Sequence, residues 1–285
     1  MTISDPVPLF PPYADLKDLD LRQYPALLTF LDTGEPWWQA HWVWGQEFLT
    51  YIGRNKSPHT FLRFRNEVER FLLWCYLVKQ KPANQLKKAD ILDYADFCWS
   101  PPVNWICLGN FEKFLQQNGL FQTNSAWAPF KLKLAKNNPE QIADKRKYVP
   151  SQETLQATFT ALVAFYKYLM SEEHTPGNPA QLAKHDCKYF VKDSQVNEVR
   201  RLTQAQWEYV IQVAEQLAST DRSFERALFV VSALKTLFLR VSELSERDNW
   251  IPIMGHFWED TEGSWWLKVF GKGRKIRDVT VPHSF

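Results

Sequence analysis

Apolar residues recur at intervals of three and four over most of this 285-residue chain, the period of an α-helix with one buried face. The rhythm starts in YADLKDLDLRQYPALLTFLDT, residues 13–33. It continues in the aromatic run WWQAHWVWGQEFLTY (37–51), which is too dense in rings to face solvent throughout and suits packing of a helical domain or a partner better than base stacking. Ser57 and Pro58 then give an N-cap followed by a proline at the first helical position. Behind them Phe61, Phe64, Val68, Phe71, Leu72 and Cys75 keep helical spacing. A shorter helix is predicted for KKADILDYADFCW (87–99). Within the Pro- and Trp-containing stretch from 100 to about 150, NWICLGNFEKFLQQNG is predicted helical and KLKLAKNNPEQIADKRKYVP a basic loop. The segment opening with Ser151 is a capped helix that stops at a Pro/Gly turn, and the aperiodic, polar residues 183–200 are predicted to link two domains.

Beyond the linker, Thr203 caps a helix over RLTQAQWEYVIQVAEQLAS. SFERALFVVSALKTLFLRVSEL is predicted as one central helix, apolar at Phe224, Leu228, Val231, Leu234, Phe238 and Val241. The period then changes. GSWWLKVFG and KIRDVTVP are rich in aromatic and β-branched residues and flank Gly-Lys-Gly-Arg, the pattern of a β-hairpin. A phosphate-cradling loop needs a helix start after its glycines, and here a strand follows. The predicted class is therefore mainly α with a small antiparallel sheet. The linker (183–200) divides the chain into a helical part and a part-α, part-β unit (201–285).

Composition removes several functions. No HExxH, GxSxG or GxxxxGK[ST] occurs. Cys75, Cys98, Cys107 and Cys187 lack both CxxC spacing and histidines at zinc-ligand intervals, which points to buried, reduced thiols and to no metal. The most apolar run is broken by Lys235, so no membrane span is expected. The acidic, proline-rich start has neither secretory nor transit character, which suggests a cytoplasmic protein. Net charge is only +2, but its distribution is uneven. Residues 1–53 hold seven acids against two bases, whereas 54–88 hold nine bases against Glu67 and Glu69, and 131–147 hold six bases against two acids. A polyanion partner for the middle of the chain would account for this, as would a solvated helix face. Arg54, Lys56, His59, Thr60, Arg63 and Arg65 gather around a helix start, where free backbone N–H groups already favour an anion. Lys131, Lys133, Lys145, Arg146 and Lys147 form the second basic stretch, and Arg274, Lys275 and Arg277 accompany Lys272 in the hairpin.

Arg240 and Glu243 lie three apart, which in a helix places them on one face. LRVSEL, followed by the basic GKGRKIR and preceded by an L-T-x-x-x-W helix start, resembles the tyrosine recombinases of the phage integrase family. The likeness extends upstream to SPHTFLRFRNEVERF, ADILDYADF and TLQATFTALVAFYKYL with its following Asn-Pro, which are similar to that family's core-binding domain. It covers most of residues 54–285, and against the family's minimal pattern residues 1–53 stand as an acidic, aromatic-rich N-terminal extension and the stretch around 100–150 as an insertion in a helical domain of residues 54–182. The resemblance implies a SAM-like helical core-binding domain and part of an α+β catalytic domain, clamped on double-stranded DNA. It implies integration or recombination through a phosphotyrosyl intermediate, self-association on paired sites, a nucleoid-associated location and no cofactor, fixed cations taking the role of a metal. Arg240 would then stabilise the non-bridging phosphate oxygens, Lys272 would protonate the departing 5′-oxygen, and Glu243 would orient these groups.

Two departures stand out. The family's Thr-Gly before Leu-Arg is Leu237-Phe238 here. No H-x-x-R occurs, and every tyrosine precedes the hairpin. The chain is thus expected to bind DNA without cleaving it by itself, as a truncated or naturally shortened recombinase. A helical nucleic-acid-binding module without recombination chemistry, or an interaction protein with solvated basic faces, are the alternatives.

Overall fold

The computed structural model describes residues 4–132, 144–190, 201–247, 250–271, 273, 275–283 and 285. It divides into two units, Met1–Asp193 and Ser194–Phe285. The described residues are mainly helical, with small two- and three-stranded sheets. Among them no helix is long and apolar enough to cross a membrane.

In the first unit α1 (Tyr13–Leu16) is followed by α2 (Pro25–Asp32), α3 (Pro36–Asn55) and α4 (Pro58–Trp74). The last three each carry proline in the first turn, where its missing N–H has no partner to lose. Ser57 caps α4 by accepting the Thr60 N–H at 3.3 Å. A π-helical turn, Cys75–Lys79, closes on Gln80 in the left-handed region, and α5 (Lys88–Trp99) follows. Further on, α6 (Gln152–Ser171) and α7 (Pro179–Asp186) complete the helical frame. The expected linker begins inside α7, and its Tyr189 and Phe190 rings pack on Trp99 and Phe159. Residues 191–200 lie outside the described residues.

The acidic N-terminal lead is a wall of this unit. Leu9, Phe10, Leu16, Trp42 and Phe48 belong to the same core as Phe71, Trp74, Tyr94, Phe165 and Tyr166. Close approach depends on Gly45, where a Cβ would stand 2.6 Å from the Phe10 ring and 2.9 Å from Leu72.

The stretch 104–119 is not a helix. It forms β1 (Ile106–Cys107), β2 (Phe114–Gln117) and the turn into β3 (Leu120–Thr123); β4 (Phe130–Lys131) lies parallel to β1. The cause is Asn118-Gly119. Both have positive φ, 52° and 79°, and they join β2 to β3 with Gln117 opposite Leu120. An Asn-Gly pair supplies that two-residue turn at little steric cost. The spacing of Phe111, Phe114 and Leu115 imitates a helical face.

The second unit starts with α8 (Gln204–Thr220), capped by Thr203, whose N–H donates to Gln206 Oε1 at 2.8 Å. Next, α9 (Glu225–Thr236) ends eight residues earlier than the predicted central helix. Its continuation is broken at Phe238, with φ of 52°, and Arg240 is extended. Phe224 lies in a 3-10 turn before α9, and Phe238 and Val241 lie beyond its end, so all three are exposed instead of lining a buried stripe. A 3-10 turn, Val241–Glu243, leads toward β5 (Phe257–Glu259), β6 (Trp265–Phe270) and β7 (Ile276–Val281), an antiparallel sheet in that order. Its small core is Ala233, Leu237, Leu239, Leu267 and Val269.

Candidate nucleic-acid interface

Two arginines of the second unit, Arg240 and Arg277, gather on one buried carboxylate. Glu243 is 2% exposed. Its Oε2 accepts the Arg240 N–H at 2.9 Å and Arg277 Nη2 at 3.0 Å, while Oε1 accepts Arg240 Nη1 at 3.2 Å. The sequence spacing paired Arg240 with Glu243 correctly, but a 3-10 turn joins them and not a helix. Arg277 arrives from β7, in register with Val269 of β6. A Cβ on Gly271 would lie 3.2 Å from Glu243 Oε1, so the hairpin closes tightly over this carboxylate. Burial pushes the Glu243 pKa up, but the Arg240 N–H and the two guanidinium groups outweigh it and hold the group below the ordinary glutamate range. Two cations on one anion leave a net positive charge. The side chains carrying it are open, Arg240 at 63% and Arg277 at 42% exposure. Lys275 is exposed nearby in sequence, and Lys272 and Arg274 lie outside the described residues.

Arg247 was not anticipated. Its guanidinium donates to the Ser242 carbonyl and sits 5.7 Å from the Phe270 ring centroid, bracing the 3-10 turn against the hairpin strand. Its partners are set by tertiary packing, and no spacing in the sequence announces them.

The first unit presents two cationic regions. Arg54, Lys56, His59 and Arg63 are exposed around the α3–α4 junction, and half-buried Thr60 is spent on the Ser57 cap. Glu67 and Glu69, which offset this charge in the sequence, are both buried. Glu67 pairs with Arg70 at 3.0 Å and accepts from Thr158 at 2.8 Å. Glu69 pairs with Lys113 at 2.5 Å. The surface of the junction therefore keeps its positive charge.

The second region is a cleft of about 450 Å³ whose walls include Arg65, Glu69, Phe111, Lys113, Trp127 and Lys131. Arg65 and Lys131 come from different basic stretches of the sequence and line this one cleft, Lys131 lying in register with Cys107 of β1. Lys131 Nζ donates to Asn110 Oδ1. Lys145–Lys147 form a 3-10 turn capped by Asp144, with Arg146 and Lys147 exposed and Lys145 half-buried, and Lys133 lies outside the described residues. Among the described residues no cluster of His, Cys, Asp or Glu is placed to hold a metal ion. The four cysteines are buried and unbridged.

Lys113, on the cleft floor, has no signal in the sequence pattern. Burial lowers its pKa to about 8 despite the Glu69 carboxylate beside it. An unfolded lysine titrates near ~10.4, so between about pH 8 and 10 the unfolded chain holds a proton that the folded chain has released. This group's contribution to stability therefore rises with pH across that window. Urea titrations at both ends of the window should show the rise, and Lys113→Met should flatten it.

No protein-family model matches this chain, and comparison with curated proteins and with solved structures finds no match either.

Proposed function

We propose that this chain is a DNA-binding portion of a site-specific tyrosine recombinase. A SAM-like, core-binding helical unit and the first part of a catalytic unit would grip duplex DNA. The observation that carries the reading is the Glu243 clamp. One buried carboxylate aligns the guanidinium of LRVSEL with one from the following hairpin and leaves both open to a ligand. Two guanidinium groups held in that way suit the non-bridging oxygens of a phosphodiester. In this reading Arg240 stabilises the charge that develops on phosphorus, and Glu243 positions Arg240. Lys272 protonates the departing 5′-oxygen when a tyrosine attacks. The exposed cations at the α3–α4 junction, Arg65, Lys131 and the Lys145–Lys147 turn add phosphate contacts that set register without reading sequence.

Selection from a random-sequence duplex pool tests the proposal. Enrichment of an inverted-repeat site supports it, whereas retention without sequence preference supports a general nucleic-acid-binding module. Binding should weaken steeply with salt, and Arg240→Ala should lower the slope of log K against log salt by about one. These 285 residues contain no H-x-x-R and no tyrosine after the hairpin. Incubated with a nicked suicide duplex carrying the selected site, they should therefore form no covalent adduct, and an adduct would overturn that expectation.

A further inference from the structure

Phe238 combines two unfavourable features. Its φ of 52° is in the left-handed region that favours glycine, and its side chain is 86% exposed. Bulky residues rarely adopt this conformation, and such strain persists where the surroundings impose it, often at functional positions. The packing on either side imposes it here. Leu237 and Leu239 are 2% and 7% exposed and belong to the unit's core. With both neighbours turned inward, the phenyl ring is driven out. Nearby Val241 is 65% exposed, and the half-open Arg240 guanidinium stands between these two apolar side chains in sequence.

An outward ring two residues along the chain from one of a pair of guanidinium groups matches a nucleotide strand, which offers an aromatic base face beside an anionic phosphate. The two residues from Phe238 to Arg240 span at most about 7 Å, the scale separating a base from the phosphates of its own strand. Building on the DNA-binding reading above, we infer that Phe238 is a wedge that stacks on a base, or enters a base step, adjoining the phosphate held by Arg240 and Arg277. The chain accepts a strained backbone at this point because the ring is needed outside.

Stability and binding should then respond with opposite signs. Phe238→Gly should raise the melting temperature by a few degrees, because it relieves both the backbone strain and the exposure of the ring. The same change should weaken binding to a short duplex carrying the selected site by about five- to a hundredfold. Phe238→Trp should keep most of the affinity, and Phe238→Leu should lose most of it. None of the three should alter the salt slope, since no charge is removed; Arg240→Ala should. Unchanged affinity in a folded Phe238→Gly protein would overturn the wedge while leaving DNA binding intact. Absence of duplex binding by the wild-type chain would overturn both.

Discussion

Glu243→Ala is expected to destabilise the second unit by about 2–4 kcal/mol and to disorganise the hairpin before any other part of that unit. The carboxylate is fully buried, and three donors from two segments converge on it. Its loss leaves the Arg240 N–H without its acceptor and brings two guanidinium groups together unopposed. Because Arg240 and Arg277 are themselves partly exposed, solvent screens their repulsion, which keeps the cost below that of breaking a wholly buried pair. The core of the unit is too small to absorb such a loss easily. Hydrogen exchange of the β6 and β7 amides should report it, with protection falling there while α3, α4 and α6 are unchanged. Glu243→Gln keeps an acceptor and the shape, and should fall between wild type and alanine. The depressed Glu243 pKa adds a pH signature. Its contribution is complete above the unfolded glutamate pKa of about 4.3 and is lost as pH falls through the folded value. Protection of the hairpin should thus fall in acid for wild type and vary less for Glu243→Gln. Removing the negative charge should also strengthen non-specific DNA binding at low salt while blurring site preference, because the guanidinium groups lose their alignment.

How much of this clamp is legible in the sequence depends on the range of each interaction. The spacing of Arg240 and Glu243 is local, and it found the pair even though a 3-10 turn replaced the helix. Arg277 depends on the register of β6 with β7, which no period in the sequence states. The early end of α9 was hidden because LFLRVSEL keeps an apolar spacing that a longer helix would also use. What decides it is the burial of Leu237 and Leu239 against Leu267 and Val269, and that burial forces Phe238 across. By contrast, α4, α6 and α8 were legible because their caps are serine or threonine contacts within three residues. The β2–β3 hairpin had its signal in plain view at Asn118-Gly119. That signal lost to the helical spacing of Phe111, Phe114 and Leu115, although a turn that requires two positive φ angles is the stronger evidence.

The same limit applies to the N-terminal lead, and it yields the largest effect expected in the first unit. Residues 1–53 read as an extension because the family likeness starts only at residue 54, yet the lead is tied in by an acid some sixty positions away. Glu69 Oε1 accepts the N–H groups of Leu9 at 2.7 Å and Phe10 at 3.1 Å, while Oε2 meets Lys113 Nζ at 2.5 Å. Glu69 is 1% exposed, and Lys113 is 7% exposed. Glu69→Ala leaves two buried N–H groups without acceptors and a lysine without its counter-charge, at an expected cost of about 3–5 kcal/mol. Glu69→Gln retains an acceptor for the N–H groups but not the ion pair, and should cost less. The double variant Glu69→Ala/Lys113→Met separates the two effects. If the stranded lysine dominates, the second change should recover a large part of the stability; if the N–H groups of Leu9 and Phe10 dominate, it should recover little. Proteolysis gives an independent reading. Release of the lead should expose the peptide bonds around Leu9 and Phe10 to cleavage before the helices are cut. Cleavage that starts elsewhere in the Glu69→Ala protein would show that the carboxylate is not what fastens the lead to α4.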